Sequence, residues 1–348
     1  MEDNLLLETE EQCIHCKTTQ AIPGYPMNLC TDCRNTFNNY PIPKWLWIFA
    51  AVILLLMIAG LIRMPDYFDA SVHLRRAEKA VEQHKYITAK KEADKVLKHL
   101  PGLLEANGYK FIAAAYTFDE RNLNISYEQL QDKPINDKEL LAEINKAMEY
   151  TEQLIPTDTL LLKSTDNFSN YATAIQENFL DSLNDGVRTT DKALFGYRIA
   201  NNLFKKKDYK TCIAVLKKTL AISPDNYGAT GLLIASKRNA GDYKGALASC
   251  DVLLAINRED ARIIAQQCKI RLLQKQDKEA AMLAKQAITF GPDDISALEA
   301  QAMVYYFSGK KPESNKLLAR IRAMEAAFED SLVSERLSKI LNGTDPYR

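Results

Sequence analysis

The sequence predicts an all-α protein: an array of repeated helical hairpins, preceded by one long apolar helix. Three observations carry this. Pro224 and Pro292 stand two steps of 34 residues apart, with Arg258 midway. The phrase Lys207-Asp-Tyr-Lys-Thr-Cys-Ile213 returns 34 residues later as Gly241-Asp-Tyr-Lys-Gly-Ala-Leu247. Trp45 to Ile62 carries no charge. A fixed period near 34 marks stacked helical hairpins, each too small to bury its apolar face alone. Glycine is scarce, with 13 in 348 residues, which suits helix throughout.

Residues 1–12 read as a flexible N-terminus, and 13–40 as a small cysteine segment. Cys13-Ile-His-Cys16 is followed after thirteen residues by Cys30-Thr-Asp-Cys33. Two Cys-x-x-Cys pairs at this spacing point to a tetrahedral zinc site with ligands Cys13, Cys16, Cys30 and Cys33. Each pair is expected to form a tight turn aiming two thiolates at one ion. So short a segment cannot fold on apolar burial, so the metal supplies its folding energy. Four thiolates leave no open coordination position, so the zinc is structural. His15 reads as a loop residue. In an oxidising compartment the same cysteines would read as two disulfides. The segment resembles the zinc-ribbon heads that precede the membrane helix in many bacterial single-pass proteins.

Pro41 and Pro43 stiffen the approach to the apolar run at 45–63. At about 1.5 Å per residue its eighteen uncharged residues reach about 27 Å, enough for a hydrocarbon core. Trp45 and Trp47 at one edge, and Tyr67 and Phe68 beyond the other, fit an aromatic belt. The zinc-headed resemblance implies a cytosolic head with the large region on the opposite side. The flanking cations Arg63, Arg75, Arg76 and Lys79 favour the reverse orientation.

The region after Pro65 resembles the tetratricopeptide repeat family. With Pro224 at repeat position 32, repeats begin at Ala193, Tyr227, Ala261 and Ile295. Position 20 is then Cys212, Ala246, Ala280 and Ser314, all small. Position 8 is Ala200, Ile234, Cys268 and Ala302. Position 4 never carries the family's tryptophan, and position 32 of the last repeat is Ala326. An earlier repeat fits 70–103, with His84-Lys-Tyr86 as its turn. Ala106 to Phe118 begins another hairpin, Asn122 to Lys138 reads as a loop or lid, and helices are expected over Glu139–Leu154 and Leu162–Leu183. This divides the chain into an irregular helical region at 66–192, four repeats at 193–328, and a capping helix and tail at 329–348. One continuous superhelix is expected.

The resemblance implies that the first helix of each hairpin lines a concave, partner-binding face. Carried over by position, that face presents Tyr197, Asn201, Phe204, Arg238, Asn239, Lys269, Met303 and Tyr306. Aromatic anchors among cations suit an extended or helical peptide bearing acidic groups. Lys plus Arg and Asp plus Glu are both 45, and the head is acidic, so no nucleic acid is expected. No phosphate loop or nucleophile motif is present, so neither catalysis nor a small-molecule substrate is expected. The sequence thus reads as a membrane-anchored adaptor with a zinc head. The alternative is a zinc- or redox-responsive regulator.

Overall fold

The computed structural model describes residues 12–38, 43–152, 189–326, 332–345 and 347. The helix expected over Leu162–Leu183 lies outside them. Fifteen helices are described, with no strand among them beyond one isolated bridge between Gln12 and Gln20. Residues 1–66 and 67–348 form separate compact units.

The first unit contains α1 (Thr31–Asn38) and the start of α2 (Lys44–Glu82). The apolar window of α2 is not buried against any other part of the protein. A core helix would hide such a face, so this window is apolar all round and uncovered.

In the second unit, the last turns of α2 pack Ala77, Ala80 and Val81 against α3 (Tyr86–His99) and α4 (Leu104–Thr117). The expected loop at 122–138 is mostly helix: α5 spans Glu120–Leu130. Its composition is polar, but Asp119 caps it by accepting from the Asn122 N–H at 3.2 Å. Ser126 and Leu130 give it a buried edge. Only the stretch before α6 (Lys138–Glu152) remains irregular.

The four regular hairpins are α7 (Thr189–Lys205) with α8 (Tyr209–Ile222), α9 (Tyr227–Asn239) with α10 (Tyr243–Ile256), α11 (Ala261–Leu273) with α12 (Asp277–Phe290), and α13 (Ile295–Phe307) with α14 (Lys311–Ala326). They are tetratricopeptide-like. Three first helices begin at Tyr227, Ala261 and Ile295, as the period requires. Asn226, Asp260 and Asp294 cap them through their side chains, and Asp208 and Asp242 cap α8 and α10. Each such cap is worth about 1 kcal/mol, so the period is written in the caps as well as the prolines. Position 20 meets position 8 inside each hairpin. Cys212 Sγ donates to the Ala200 carbonyl at 3.2 Å, and Ser314 Oγ to that of Ala302 at 2.8 Å. Finally, α15 (Leu332–Leu341) buries Leu337 and Ile340 against α13 and α14.

The turn between α10 and α11 receives the earlier hairpins. The Arg258 N–H donates to the His84 carbonyl at 2.9 Å, and Asn257 Nδ2 to that of Tyr116 at 3.3 Å. Glu259 accepts from the Thr88 N–H at 2.7 Å and from Thr88 Oγ1 at 2.6 Å. This carboxylate caps α3, whose own N-cap residue, Lys85, contributes no side-chain bond. An aromatic run extends the contact: Tyr86 stacks on Tyr116 at 4.5 Å, and Phe118 leans on Tyr227 at 4.8 Å, with the Arg262 guanidinium over both.

Candidate functional site

Two constellations carry chemistry. In the first unit, the four thiol sulfurs of Cys13, Cys16, Cys30 and Cys33 all lie within 4.8 Å of one another. The first pair sits on a turn closed by the Lys17 N–H on the Cys13 carbonyl at 2.9 Å, with Lys17 at φ 57°. The second pair is not a free turn. Cys30 precedes α1 and Cys33 lies in its first turn, where Cys30 Sγ accepts the Cys33 N–H at 3.4 Å. A helix start favours thiolate. Cys16 and Cys30 sulfurs stand 3.8 Å apart. A tetrahedron with bonds of ~2.3 Å has edges of about 3.8 Å, so the set fits a four-coordinate soft metal. Hydrogen bonds from Thr18, then Thr19, hold the Cys16 thiol at about 5. Contact with the Cys30 sulfur, and then burial, pushes Cys33 up to about 12. A dication among the four sulfurs would offset that crowding of negative charge.

Sequence reasoning read His15 only as a loop residue. Its Nδ1 lies 3.5 Å from Cys33 Sγ, and its ring meets Phe37 edge-on at 5.0 Å. Spacing gave no signal for this, because it depends on the return of the chain through α1.

The second constellation is a cleft of about 520 Å³ on the first helices of the regular hairpins. Phe204, Lys205 and Lys207 form one end, Arg238 and Asn239 the middle, and Lys269, Glu299, Arg336 and Tyr347 the other end. Five cations face two carboxylates, Glu299 and Asp345. Glu299 is 2% exposed, and Lys269, 3% exposed, donates to it at 2.5 Å while Arg336 pairs with its other oxygen. Burial alone would raise the Glu299 carboxyl, but the two cations outweigh it and hold the group at about 2. Arg238 is 6% exposed. It donates to Gln266 Oε1 and, at 3.5 Å, to Asn239 Oδ1, while its Nε has no partner and no carboxylate pairs with it among the described residues.

Of the eight residues expected on this face, Phe204, Arg238, Asn239 and Lys269 line the cleft. Met303 does not: at 0% exposure it is core, packed among Leu298, Val304 and Ile321. Lys269 is spent on Glu299. Tyr197, Asn201 and Tyr306 are half-buried and outside the cleft lining. Tyr347 and Arg336 were missed, because the return of the C-terminal segment to α11 leaves no mark in the 34-residue period. Cys212, Cys250 and Cys268 are buried in the hairpins, and burial raises all three thiols.

No family model and no curated protein matches the chain. Among solved structures, MamA is similar at 15% identity over 50% of this chain and 99% of its own, TM-score 0.38. YrrB, described as a TPR protein with an unusual peptide-binding site, is similar at 17% identity over 56% and 97%, TM-score 0.34. The pilF protein of Pseudomonas aeruginosa follows at 9% identity over 79% and 98%, TM-score 0.29. The tetratricopeptide-like assignment rests on the hairpins themselves.

Proposed function

We propose that this chain is a single-pass membrane-anchored adaptor whose hairpins bind a protein or peptide partner and whose head holds a structural zinc ion. The observation that carries the reading is Arg238: a buried guanidinium in an open, cation-rich cleft, with no carboxylate paired to it among the described residues. An ionic group this buried favours an anionic partner, because desolvation makes an unpaired charge costly. The cleft lies on the first helices of the hairpins, the concave face in the tetratricopeptide resemblance. Residues 45–63 supply the anchor, and their uncovered apolar surface supports it. Zinc, held by Cys13, Cys16, Cys30 and Cys33, would cross-link the head. The head is assigned to the cytosol and the hairpins to the opposite side.

The test is capture of partners from detergent-solubilised membranes, with native gels in parallel. Wild-type protein should migrate as a complex, and Arg238→Glu should lose it. Identical complexes for both proteins, or none for wild type, would remove the reading. A second reading has its own support. Cys16 and Cys33 are only half-buried, so a chelator or oxidant can reach the head. In that reading the metal state of the head regulates the hairpins, and Cys13→Ser with Cys16→Ser should alter partner capture. If only head folding changes, zinc is structural alone.

A further inference from the structure

The cleft already holds a piece of this chain. Helix α15 ends at Leu341, and Gly343, at φ +72°, turns the backbone into the left-handed region that other residues enter at a cost. The N–H groups of Thr344 and Asp345 then close on the Lys339 carbonyl at 2.9 and 3.1 Å. Tyr347 Oη donates to the Lys269 carbonyl at 3.1 Å, and its ring meets Phe307 at 6.3 Å. Asp345 lines the same cleft.

We propose that Asp345 and Tyr347 act as a tethered ligand of the cleft, and that the partner is an extended segment carrying an aromatic ring and an acidic side chain. The partner displaces Tyr347 and brings a carboxylate to Arg238. This rests on the adaptor reading above and adds the partner's chemistry and the regulation of its site. Besides the hydroxyl bond and the ring contact, Tyr347 packs half-buried against the apolar cluster of the last two hairpins, while Thr344 and Asp345 remain exposed. Tethering raises the local concentration of the segment to about millimolar, so a free competitor must bind well to replace it.

The experiment is hydrogen exchange on the full chain in detergent, comparing wild type, Tyr347→Ala and Tyr347→Phe. The probe is a synthetic peptide of this chain's residues 342–348. In Tyr347→Ala, fragments covering 266–274 and 299–307 should exchange about tenfold faster, while α12 and α14 stay unchanged. About 1 mM peptide should restore protection in Tyr347→Ala and leave wild type unaffected. Tyr347→Phe, which keeps the ring, should fall between. Unchanged exchange in Tyr347→Ala overturns the proposal. So does faster exchange that spreads through every hairpin, since Tyr347 would then be a core residue. Failure of the peptide to restore protection overturns it too, because the contact would then be a structural clasp. Partner capture separates this inference from the adaptor reading. Equal capture by wild type and Tyr347→Ala sinks the competition and leaves the adaptor standing. Peptide rescue without any captured partner does the reverse.

Discussion

At the scale of single residues, Glu299 and His15 make the sharpest claims. Glu299 sits between Lys269 and Arg336 with its carboxyl held at about 2. Its folded value lies below the unfolded value of about 4.3, so its contribution to stability is complete above that value. The contribution is lost as pH falls towards 2. Breaking a buried pair by removing one partner costs about 3 kcal/mol, because the other charge is left uncompensated. Glu299→Gln should therefore lower the urea midpoint clearly at pH 7, and the gap to wild type should close between about pH 4 and pH 2. A gap that persists unchanged in acid would mean that packing, not charge, holds this site together. His15 sits beside Cys33 and can donate to its thiolate. Partners that hydrogen-bond a metal ligand typically tune affinity by about 10-fold or more. Wild-type protein should bind one zinc ion, Cys30→Ser should lose it, and His15→Ala should bind it about tenfold more weakly in competition with a chromophoric chelator. Unchanged affinity in His15→Ala would show the contact to be incidental.

At the scale of elements, the departures from the repeat pattern are the informative places. The 34-residue period made the regular hairpins, their starts and the small residues between their helices legible, because those depend on local packing. It did not reveal why Arg258 replaces proline midway between Pro224 and Pro292. The reason is long-range: the Arg258 N–H is the donor to His84, and proline has none. Arg258→Pro would complete the period, yet it should cost about 1 kcal/mol or more by orphaning that carbonyl. Exchange at residues 84–88 should rise with it, and a stabilised variant would refute the role given to the turn. Gly196 stands at position 4, where the family carries tryptophan. A Cβ there would lie 2.0 Å from Thr219 Oγ1, so the Thr219 side chain fills the space a side chain at 196 would need. Gly196→Ala should cost about 1–3 kcal/mol by overpacking, and Thr219→Ala in the same chain should recover part of it. Absence of any recovery would place the strain elsewhere. Helix α5 escaped sequence reading because its apolar residues are few, and its start depends on one aspartate cap.

At the scale of the whole molecule, the uncovered apolar stretch of α2 is the proposed membrane anchor. Residues such as Trp47, Leu55, Leu56 and Ile62 are exposed along it. Leaving such side chains in water forfeits about 1.5–3 kcal/mol each, which a bilayer recovers. Leu54→Lys with Ile58→Lys places two charges mid-span at a cost of about 2.5–3.5 kcal/mol each, and should release the protein from membranes on carbonate wash. The proposed orientation rests on the chemistry of the two ends. Thiolates that hold zinc require a reducing side, and long C-terminal regions cross membranes largely regardless of flanking charge. The expected outcome of protease protection on sealed, oriented vesicles is therefore a protected C-terminal tag and a digestible cytosolic head. The opposite pattern would mean that Arg75, Arg76 and Lys79 had set the topology. The head would then face the oxidising side, zinc would give way to disulfides among Cys13, Cys16, Cys30 and Cys33, and partners of the Arg238 cleft would have to be sought in the cytosol.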